Sequence, residues 1–192
     1  FRTPSSNVFG QITYEHGLNP VANSIVFAES NNPLLNKSLI FDGQNDFIDF
    51  GIDNIKSAMF WFKPNCQSCT SSLFTVEGVL SNTLEVTDTM LILGSEFHPI
   101  NQGWNQLSVT KTDAEVLFYL NGEIIPNFTT SSEVEYLTDF CLGCSSNNSS
   151  SEYFEGYVDE ILLWQTSLSN EFISENYNRY IKQNYPGKLA HY

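Results

Sequence analysis

The apolar residues of this chain occur in short runs with a period of two, and this pattern limits the possible folds more than any other feature. The runs are rich in Phe, Ile, Val, Leu and Tyr, with clusters of Asn, Gly, Ser, Asp and Pro between them. They include SLIFD, DFIDFG, SAMFWFK, SLFTV, MLIL, QLSVTK, EVLFYL and YVDEILLW. Many short strands at this spacing are typical of β-sandwiches. The sequence therefore predicts an all-β fold, an antiparallel two-sheet jelly-roll sandwich.

Length and composition fit a single domain. The chain has 192 residues, 41% of them hydrophobic and 14% aromatic, which is enough to fill the core of one sandwich. No Gly/Ser linker or internal repeat divides it. We expect one domain over residues 1–192, with N-terminal strands of uncertain role at 1–30 and a C-terminal tail at 181–192.

Two turn sequences are expected to join strands as hairpins. Asn121-Gly122 supplies the two residues with positive φ that a type I′ turn requires between EVLFYL and EII. Gly43-Gln44-Asn45 is expected to form a second hairpin loop of about three residues between LIFD and DFIDF.

One segment near the C-terminus has helical spacing. Ser169 is placed to cap it, and Pro186-Gly187 is expected to stop it. Acidic residues lie toward its start and basic residues toward its end, as the helix dipole favours. The buried stripe is expected to be formed by Phe172, Ile173, Tyr177, Tyr180 and Ile181.

The charge balance excludes two classes of partner. Acidic residues outnumber basic ones by 22 to 8, which gives a formal net charge of −14. A surface of this sign repels nucleic-acid phosphates and anionic lipid, so no nucleic-acid partner is expected. No apolar stretch reaches the about 18 to 20 residues of a membrane helix, so no membrane span is expected either.

Cysteines and glycosylation sequons together favour an extracellular or cell-surface setting. The cysteines form two CxxC pairs, Cys66 with Cys69 and Cys141 with Cys144. Asn-x-Ser/Thr sequons begin at Asn36, Asn127, Asn147 and Asn148. An even cysteine count with several sequons indicates an oxidising compartment. Because the first residues lack signal-peptide features, a secreted form would have lost its leader or be a segment of a longer protein.

Three stretches, in this order, carry a resemblance to a known superfamily. They are LIFDGQNDFIDFG at 39–51, GWNQLSVTKTDAEVLFYLNGEII at 103–125 and YFEGYVDEILLWQTSLSNEFISENY at 153–177. Together they resemble concanavalin A-like domains, in the branch that includes laminin G-like and pentraxin-like domains. The chain differs in having Asn105 where a His often follows the Trp, and in its two CxxC pairs. Residues 1–30 match nothing in the superfamily.

The resemblance also implies a calcium site. Members of the superfamily often hold calcium near the corresponding strands, where this chain has Asp42, Asp46 and Asp159. Calcium prefers several hard oxygen ligands, and the carbonyl of Gly43 is a further candidate. The alternative is that these aspartates cap turns or accept hydrogen bonds from backbone amides.

The four cysteines have two chemical interpretations. Paired CxxC motifs can build a four-thiolate zinc site, but the 71 residues between these pairs far exceed the usual spacing. Disulfides are favoured, and we expect them to link the 66–69 segment to the 141–144 segment. A bridge inside a four-residue loop restricts the unfolded chain little, whereas one closing about 75 residues contributes on the order of 4 kcal/mol.

Aromatic residues provide the best candidate for ligand binding. Trp104 lies beside a loop and can stack on a sugar, whereas Trp61 and Trp164 lie within apolar strand runs and are expected in the core. Catalysis finds little support, because the Glu-x-Asp-x-x-Glu run of glycosidases with this fold is absent. His16, His98 and His191 are expected at the surface.

These observations favour a non-enzymatic adhesion or recognition module that binds a glycan or an extracellular protein through the loops of the jelly roll. One alternative is a structural subunit of a filament, sheath or appendage, which binds copies of itself through residues 1–30 or 180–192. A second is a glycoside-processing domain. For residues 1–30, pairing within the domain's own sheets is favoured over donation to a neighbour.

Overall fold

The computed structural model describes residues 21–23, 26–28, 38–66, 69–77, 83–131, 136–144, 153–179, 181 and 185–191. The elements among these residues confirm the predicted all-β fold. The strands are β1 (Val21–Asn23), β2 (Val26–Ala28), β3 (Ser38–Asp42), β4 (Phe47–Asp49), β5 (Ser57–Pro64), β6 (Ser71–Glu77), β7 (Leu84–Val86), β8 (Met90–Leu93), β9 (Glu96–Pro99), β10 (Asn105–Lys111), β11 (Glu115–Leu120), β12 (Glu123–Ser131), β13 (Thr138–Leu142), β14 (Glu155–Trp164) and β15 (Lys188–His191). The helix is α1 (Asn170–Asn176).

The strands form two antiparallel sheets that pack into a sandwich. The first sheet has seven strands in the order β1-β4-β13-β6-β7-β8-β9. The second has the order β12-β11-β10-β5-β14-β3-β2, and β15 pairs with β14 beside this path. Strands that are neighbours in sequence often lie in different sheets, so the connections repeatedly cross the sandwich.

The core between the sheets is built from alternate residues of the strands. In β5, Phe60 and Phe62 point into it and are fully buried. Phe74 of the first sheet meets Phe60, with the two ring centroids 6.1 Å apart. This side of each sheet is therefore apolar, as the period of two in the sequence predicts.

A second apolar cluster lies on the outer side of the second sheet, under α1. Met59, Leu162 and Trp164 face outward from their strands and are buried there by Ile173 of the helix. Ring contacts continue outward, because Trp164 and Phe172 have centroids 6.3 Å apart. The helix thus covers one end of this outer sheet face.

The helix begins as predicted but ends early. The Ser169 side chain accepts a hydrogen bond from the backbone N–H of Phe172, at 3.2 Å. The helix ends at Asn176, ten residues before Pro186. Ile181 still packs in the outer cluster, although it lies beyond the helix. The apolar stripe was therefore correctly identified, whereas its helical extent was overestimated.

The predicted Asn121-Gly122 hairpin is confirmed. These residues join β11 to β12, with φ of 50° at Asn121 and 83° at Gly122. The other predicted hairpin is wrong. β3 pairs with β2 and β14 in the second sheet, whereas β4 pairs with β1 and β13 in the first. Gly43-Gln44-Asn45 therefore crosses between sheets, because both apolar runs turn toward the common core from opposite layers.

Both ends of the described chain contribute strands to the domain's own sheets. β1 pairs with β4, and β2 pairs with β3, so the expected internal pairing is confirmed for these strands. The rest of residues 1–30 lies outside the described residues. Residues 188–191, expected as part of a tail, form β15 against β14. No helix in the described part of the chain is long and apolar enough to cross a membrane.

Candidate functional site

The outer face of the second sheet has one half that α1 leaves uncovered. Four side chains lie there, each partly exposed: Trp61, Lys63, Trp104 and Tyr157. We call these four the aromatic patch. Trp61 and Lys63 alternate along β5 with the inward-facing Phe60 and Phe62, which fixes their direction. The patch is therefore a direct consequence of the strand period.

Strand register brings three members of the patch into one row. Tyr157 of β14 lies opposite Lys63 of β5, and Trp104 precedes the β10 residue that pairs with Phe62. The Lys63 Nζ lies 5.4 Å from the centroid of the Tyr157 ring. The rings of Tyr157 and Trp104 have centroids 6.4 Å apart. Tyr157 thus contacts both the Lys63 ammonium group and the Trp104 ring, in a row that spans three strands.

The three tryptophans have different environments. Trp164 is fully buried under α1, as predicted. Trp61 was expected in the core, and that prediction is wrong, since it is only partly buried and lies on the outer face. Trp104 is partly buried and its Nε1 atom is enclosed without a hydrogen-bond partner. A ligand at the patch would therefore meet ring carbons of Trp104 and not its N–H donor.

Asn105 fixes the loop that carries Trp104. Its Oδ1 accepts a hydrogen bond from the backbone N–H of Asn101, at 3.0 Å. Its Nδ2 donates to the carbonyl oxygens of Asn101 and Gly103, at 2.9 and 3.2 Å. The Asn121 side chain donates to the same Oδ1, at 3.3 Å. This buried amide therefore ties residues 101–104 to the β11–β12 turn and holds Trp104 in place.

Acidic side chains border the patch. Glu155 and Asp42 are directly opposite each other on β14 and β3, with Asp42 exposed and Glu155 partly exposed. Asn65 lies on the other side of Glu155, and its N–H donates to the Glu155 carbonyl at 3.0 Å. Glu155 lies two residues from Tyr157 and so on the same face. We call Asp42 and Glu155 the acidic rim.

Asp46 is the most strongly perturbed carboxyl group near this end of the sandwich. It is 2% exposed, and its Oδ2 accepts a hydrogen bond from the N–H of Asp42 at 2.8 Å. Its Oδ1 is buried without a hydrogen-bond partner. Burial raises the pKa of Asp46 from 3.8 to about 6, against the opposing effect of the Asp42 N–H bond. Asp46 thus stabilises the crossing between β3 and β4 at an energetic cost near neutral pH.

The three aspartates proposed as calcium ligands do not form one site. Asp42 lies opposite Glu155, and Asp159 is four residues further along β14, which is about 13 Å. Asp159 is also buried at a bulge, where its Oδ1 accepts from the N–H of Glu160. A three-aspartate site is therefore wrong on geometry. Calcium binding by the chain stays a prediction.

Each CxxC pair forms a local disulfide, so the expected link between the two segments is wrong. Cys66 is bonded to Cys69 and Cys141 to Cys144, with Cα atoms 5.6 and 5.9 Å apart. The physical reason is local: within each pair the two Cα atoms lie at a separation that a disulfide spans. Each cysteine therefore bonds to its neighbour three residues away.

The same cysteines belong to the one three-residue set with metal-binding spacing in the described part of the chain. The Sγ atoms of Cys66 and Cys69 and a carboxylate oxygen of Glu155 lie within 4.8 Å of one another. Because the two sulfur atoms are bonded to each other, they are not thiolate ligands. The four-thiolate zinc alternative fails for the same reason, since all four cysteines are paired.

One predicted glycosylation site can be located. Asn127 is exposed, as expected, although it lies in β12 and not in a loop. Asn36, Asn147 and Asn148 lie outside the described residues.

His98 packs its ring against Phe128, with centroids 6.2 Å apart, so it is a packing residue of β9.

Of the four patch residues, the sequence identified only Trp104 as a candidate; it placed Trp61 in the core and did not indicate Lys63 or Tyr157. The signal was present in SAMFWFK, where strict alternation places Trp61 and Lys63 on the face opposite the phenylalanines. It was missed because the apolar character of the run suggested burial on both faces. Tyr157 required the pairing of β14 with β5, which local sequence does not contain.

Comparison with known proteins supports the fold but assigns no family. No protein-family model and no curated protein matches the chain. Among solved structures, domain 4 of AbnA, a GH43 extracellular arabinanase from Geobacillus stearothermophilus in complex with arabinotriose, has a TM-score of 0.55 at 18% identity. The match covers 80% of this chain and 81% of that domain.

Two other structures are similar over longer proteins. A putative carbohydrate binding protein from Bacteroides ovatus has a TM-score of 0.55 at 13% identity, over 90% of this chain and 50% of its own. A mutant of Trypanosoma rangeli sialidase that displays trans-sialidase activity has a TM-score of 0.58 at 11% identity, over 82% and 30%. This chain thus spans half or less of these two proteins. The chain shares the β-sandwich fold of these structures, and the laminin G-like branch stays a prediction.

Proposed function

We propose that this chain is a non-catalytic, extracellular glycan-binding module that holds sugar against the aromatic patch. The observation that carries the proposal is the grouping of Trp61, Trp104 and Tyr157 around Lys63 on a sheet face. Aromatic rings that stay partly exposed on rigid strands offer flat apolar surface, and the C–H faces of sugar rings stack on such surface. Lys63 supplies hydrogen-bond donors for sugar hydroxyls.

The surroundings of the patch suit a hydroxyl-rich ligand. Asn65, Asn101 and Gln102 are exposed at its borders, and Glu155 is partly exposed. These side chains offer both donors and acceptors, and each lies two or three residues along the chain from a member of the patch. Because the rings are held by strand pairing and by the hydrogen bonds of Asn105 to the loop before it, little conformational entropy is lost on binding. The patch therefore has the apolar base and polar border of a sugar site.

The similar structures support the same interpretation. One is a domain solved with arabinotriose, and another is described as a putative carbohydrate binding protein. The lack of a Glu-x-Asp-x-x-Glu run favours binding over glycoside processing, which is the enzymatic alternative. Extracellular location is in keeping with the paired cysteines and the exposed Asn127 sequon.

A glycan array probed with the purified protein and two variants tests the proposal. Trp104→Ala removes stacking surface and is expected to weaken binding at least about tenfold. Phe97→Ala is the matched control, since Phe97 is 61% exposed on β9 of the other sheet. It is expected to bind like the parent protein. Equal binding by all three proteins, or no binding to any glycan, would contradict the proposal.

A further inference from the structure

We infer that the aromatic patch selects uncharged sugars and discriminates against glycans that carry a carboxylate. This inference rests on the proposed function and names its class of ligand. It follows from the charges around Lys63, which is the basic member of the patch. An acidic sugar would need Lys63 as its counter-ion, so the surroundings of that ammonium group decide the specificity.

Two carboxylate side chains bracket Lys63 on the neighbouring strand. Glu155, Tyr157 and Asp159 lie on the same face of β14, because they alternate with the inward-facing Gly156 and Val158. Tyr157 is directly opposite Lys63, so Glu155 and Asp159 are its diagonal neighbours. Diagonal positions in an antiparallel pair are about 7 to 8 Å apart. The carboxylates on both sides of Tyr157 therefore partly cancel the positive potential of Lys63.

The ammonium group also has a partner within the patch. Its Nζ lies 5.4 Å from the Tyr157 ring centroid, a distance at which the ring face attracts a cation. A ligand carboxylate that bound Lys63 would compete with this contact and would also approach Glu155. A neutral sugar meets no such conflict, because it can stack on the rings with Lys63 left in place.

The acidic rim adds to the repulsion of an anion. Asp42 lies directly opposite Glu155 and is exposed. Counting the two carboxylates of the acidic rim against Lys63 gives two negative charges and one positive, a formal sum of −1. The whole chain carries −14. A negatively charged ligand therefore approaches a surface whose local and overall fields both oppose it.

Matched pairs of oligosaccharides test the inference with the intact chain. Each pair has a neutral member and a member with one added acidic sugar, such as lactose with sialyllactose and xylotriose with glucuronosyl-xylotriose. At low ionic strength we expect the acidic member to bind about fivefold or more weakly by calorimetry. Added salt is expected to narrow the difference, because it screens the repulsion.

Two variants connect the effect to named charges. Glu155→Gln is expected to reduce the difference in affinity between the neutral and the acidic member of a pair. The control is Asp113→Asn, at an exposed loop position between β10 and β11, which is expected to leave this difference unchanged. Tighter binding of the acidic member, or a gap that neither salt nor Glu155→Gln alters, would overturn the inference while leaving glycan binding intact. Failure of both members of every pair to bind would overturn the proposed function and the inference with it.

Discussion

At the residue scale, the position after Trp104 shows how one buried amide shapes a surface. Asn105 is fully buried and makes three hydrogen bonds to the backbone of residues 101–103, besides one from Asn121. An amide has a donor and an acceptor on one carbon, so it can bind a backbone N–H and a carbonyl together, which suits a tight loop.

Replacing Asn105 by Ala tests this role. We expect the change to lower the free energy of unfolding by about 2 to 3 kcal/mol, because it leaves buried backbone groups without partners. Urea denaturation followed by tryptophan fluorescence measures it. Asn101→Ala is the control, since Asn101 contributes only backbone atoms to these bonds. Equal free energies of unfolding for the two variants would contradict this role of the Asn105 side chain.

The buried carboxyl of Asp46 predicts a pH dependence of stability. Its pKa is raised from 3.8 to about 6 in the folded protein, chiefly by burial. Between about pH 4 and 6 the folded state therefore holds more protons at this site than the unfolded state, so its contribution to stability falls as pH rises through that window. At pH 7 the ionised group costs about 3 kcal/mol, because a shift of one pKa unit corresponds to about 1.4 kcal/mol.

The matching variant is Asp46→Asn, which keeps an acceptor for the Asp42 N–H but cannot ionise. We expect it to remove this pH dependence, and to gain stability relative to the parent at pH 7 but not at pH 4.5. Urea midpoints at both values measure the effect, with Asp113→Asn as an exposed control. If the urea midpoints of the parent and of Asp46→Asn changed equally between the two pH values, the assignment of this pH dependence to Asp46 would be refuted.

At the element scale, local signals predicted local structure and failed where partners were distant. Asn121-Gly122 specifies its hairpin because both residues accept positive φ. Gly43-Gln44-Asn45 looked equally suited to a hairpin, but turn chemistry does not say whether the next strand stays in the same sheet. The prediction of the disulfide pairing failed for another reason: loop entropy was considered without knowing that the Cα atoms within each CxxC pair lie at bonding separation.

Gly122 links the β11–β12 hairpin to the C-terminal end of α1. A Cβ added there would overlap the Tyr177 ring, and the backbone φ is +83°. Gly122→Ala is expected to cost at least about 1 kcal/mol more than Gly51→Ala, which has a similar φ of +58° and open space around it. Thermal unfolding compares the two. Equal losses of stability would show that overlap with the Tyr177 ring adds nothing to the cost of Gly122→Ala.

At the scale of the whole molecule, the outer face of the second sheet has two parts with different roles. The end of the second sheet under α1 is apolar and closed, whereas the other end exposes aromatic rings and charges. The rival view, a subunit that assembles by strand donation, loses support because β1, β2 and β15 all pair within their own sheets. The sequence predicted the layers of the sandwich, but the patch depended on register across β10, β5 and β14.

The most direct test of the account uses the indole N–H signals of the three tryptophans in an NMR titration with a neutral oligosaccharide selected on the array. Trp61 and Trp104 lie in the patch, whereas Trp164 is buried under α1 on the same sheet and serves as an internal control. We expect the signals of Trp61 and Trp104 to shift to saturation while that of Trp164 stays in place. Saturable binding that left the Trp61 and Trp104 signals unchanged would contradict a sugar site on the aromatic patch.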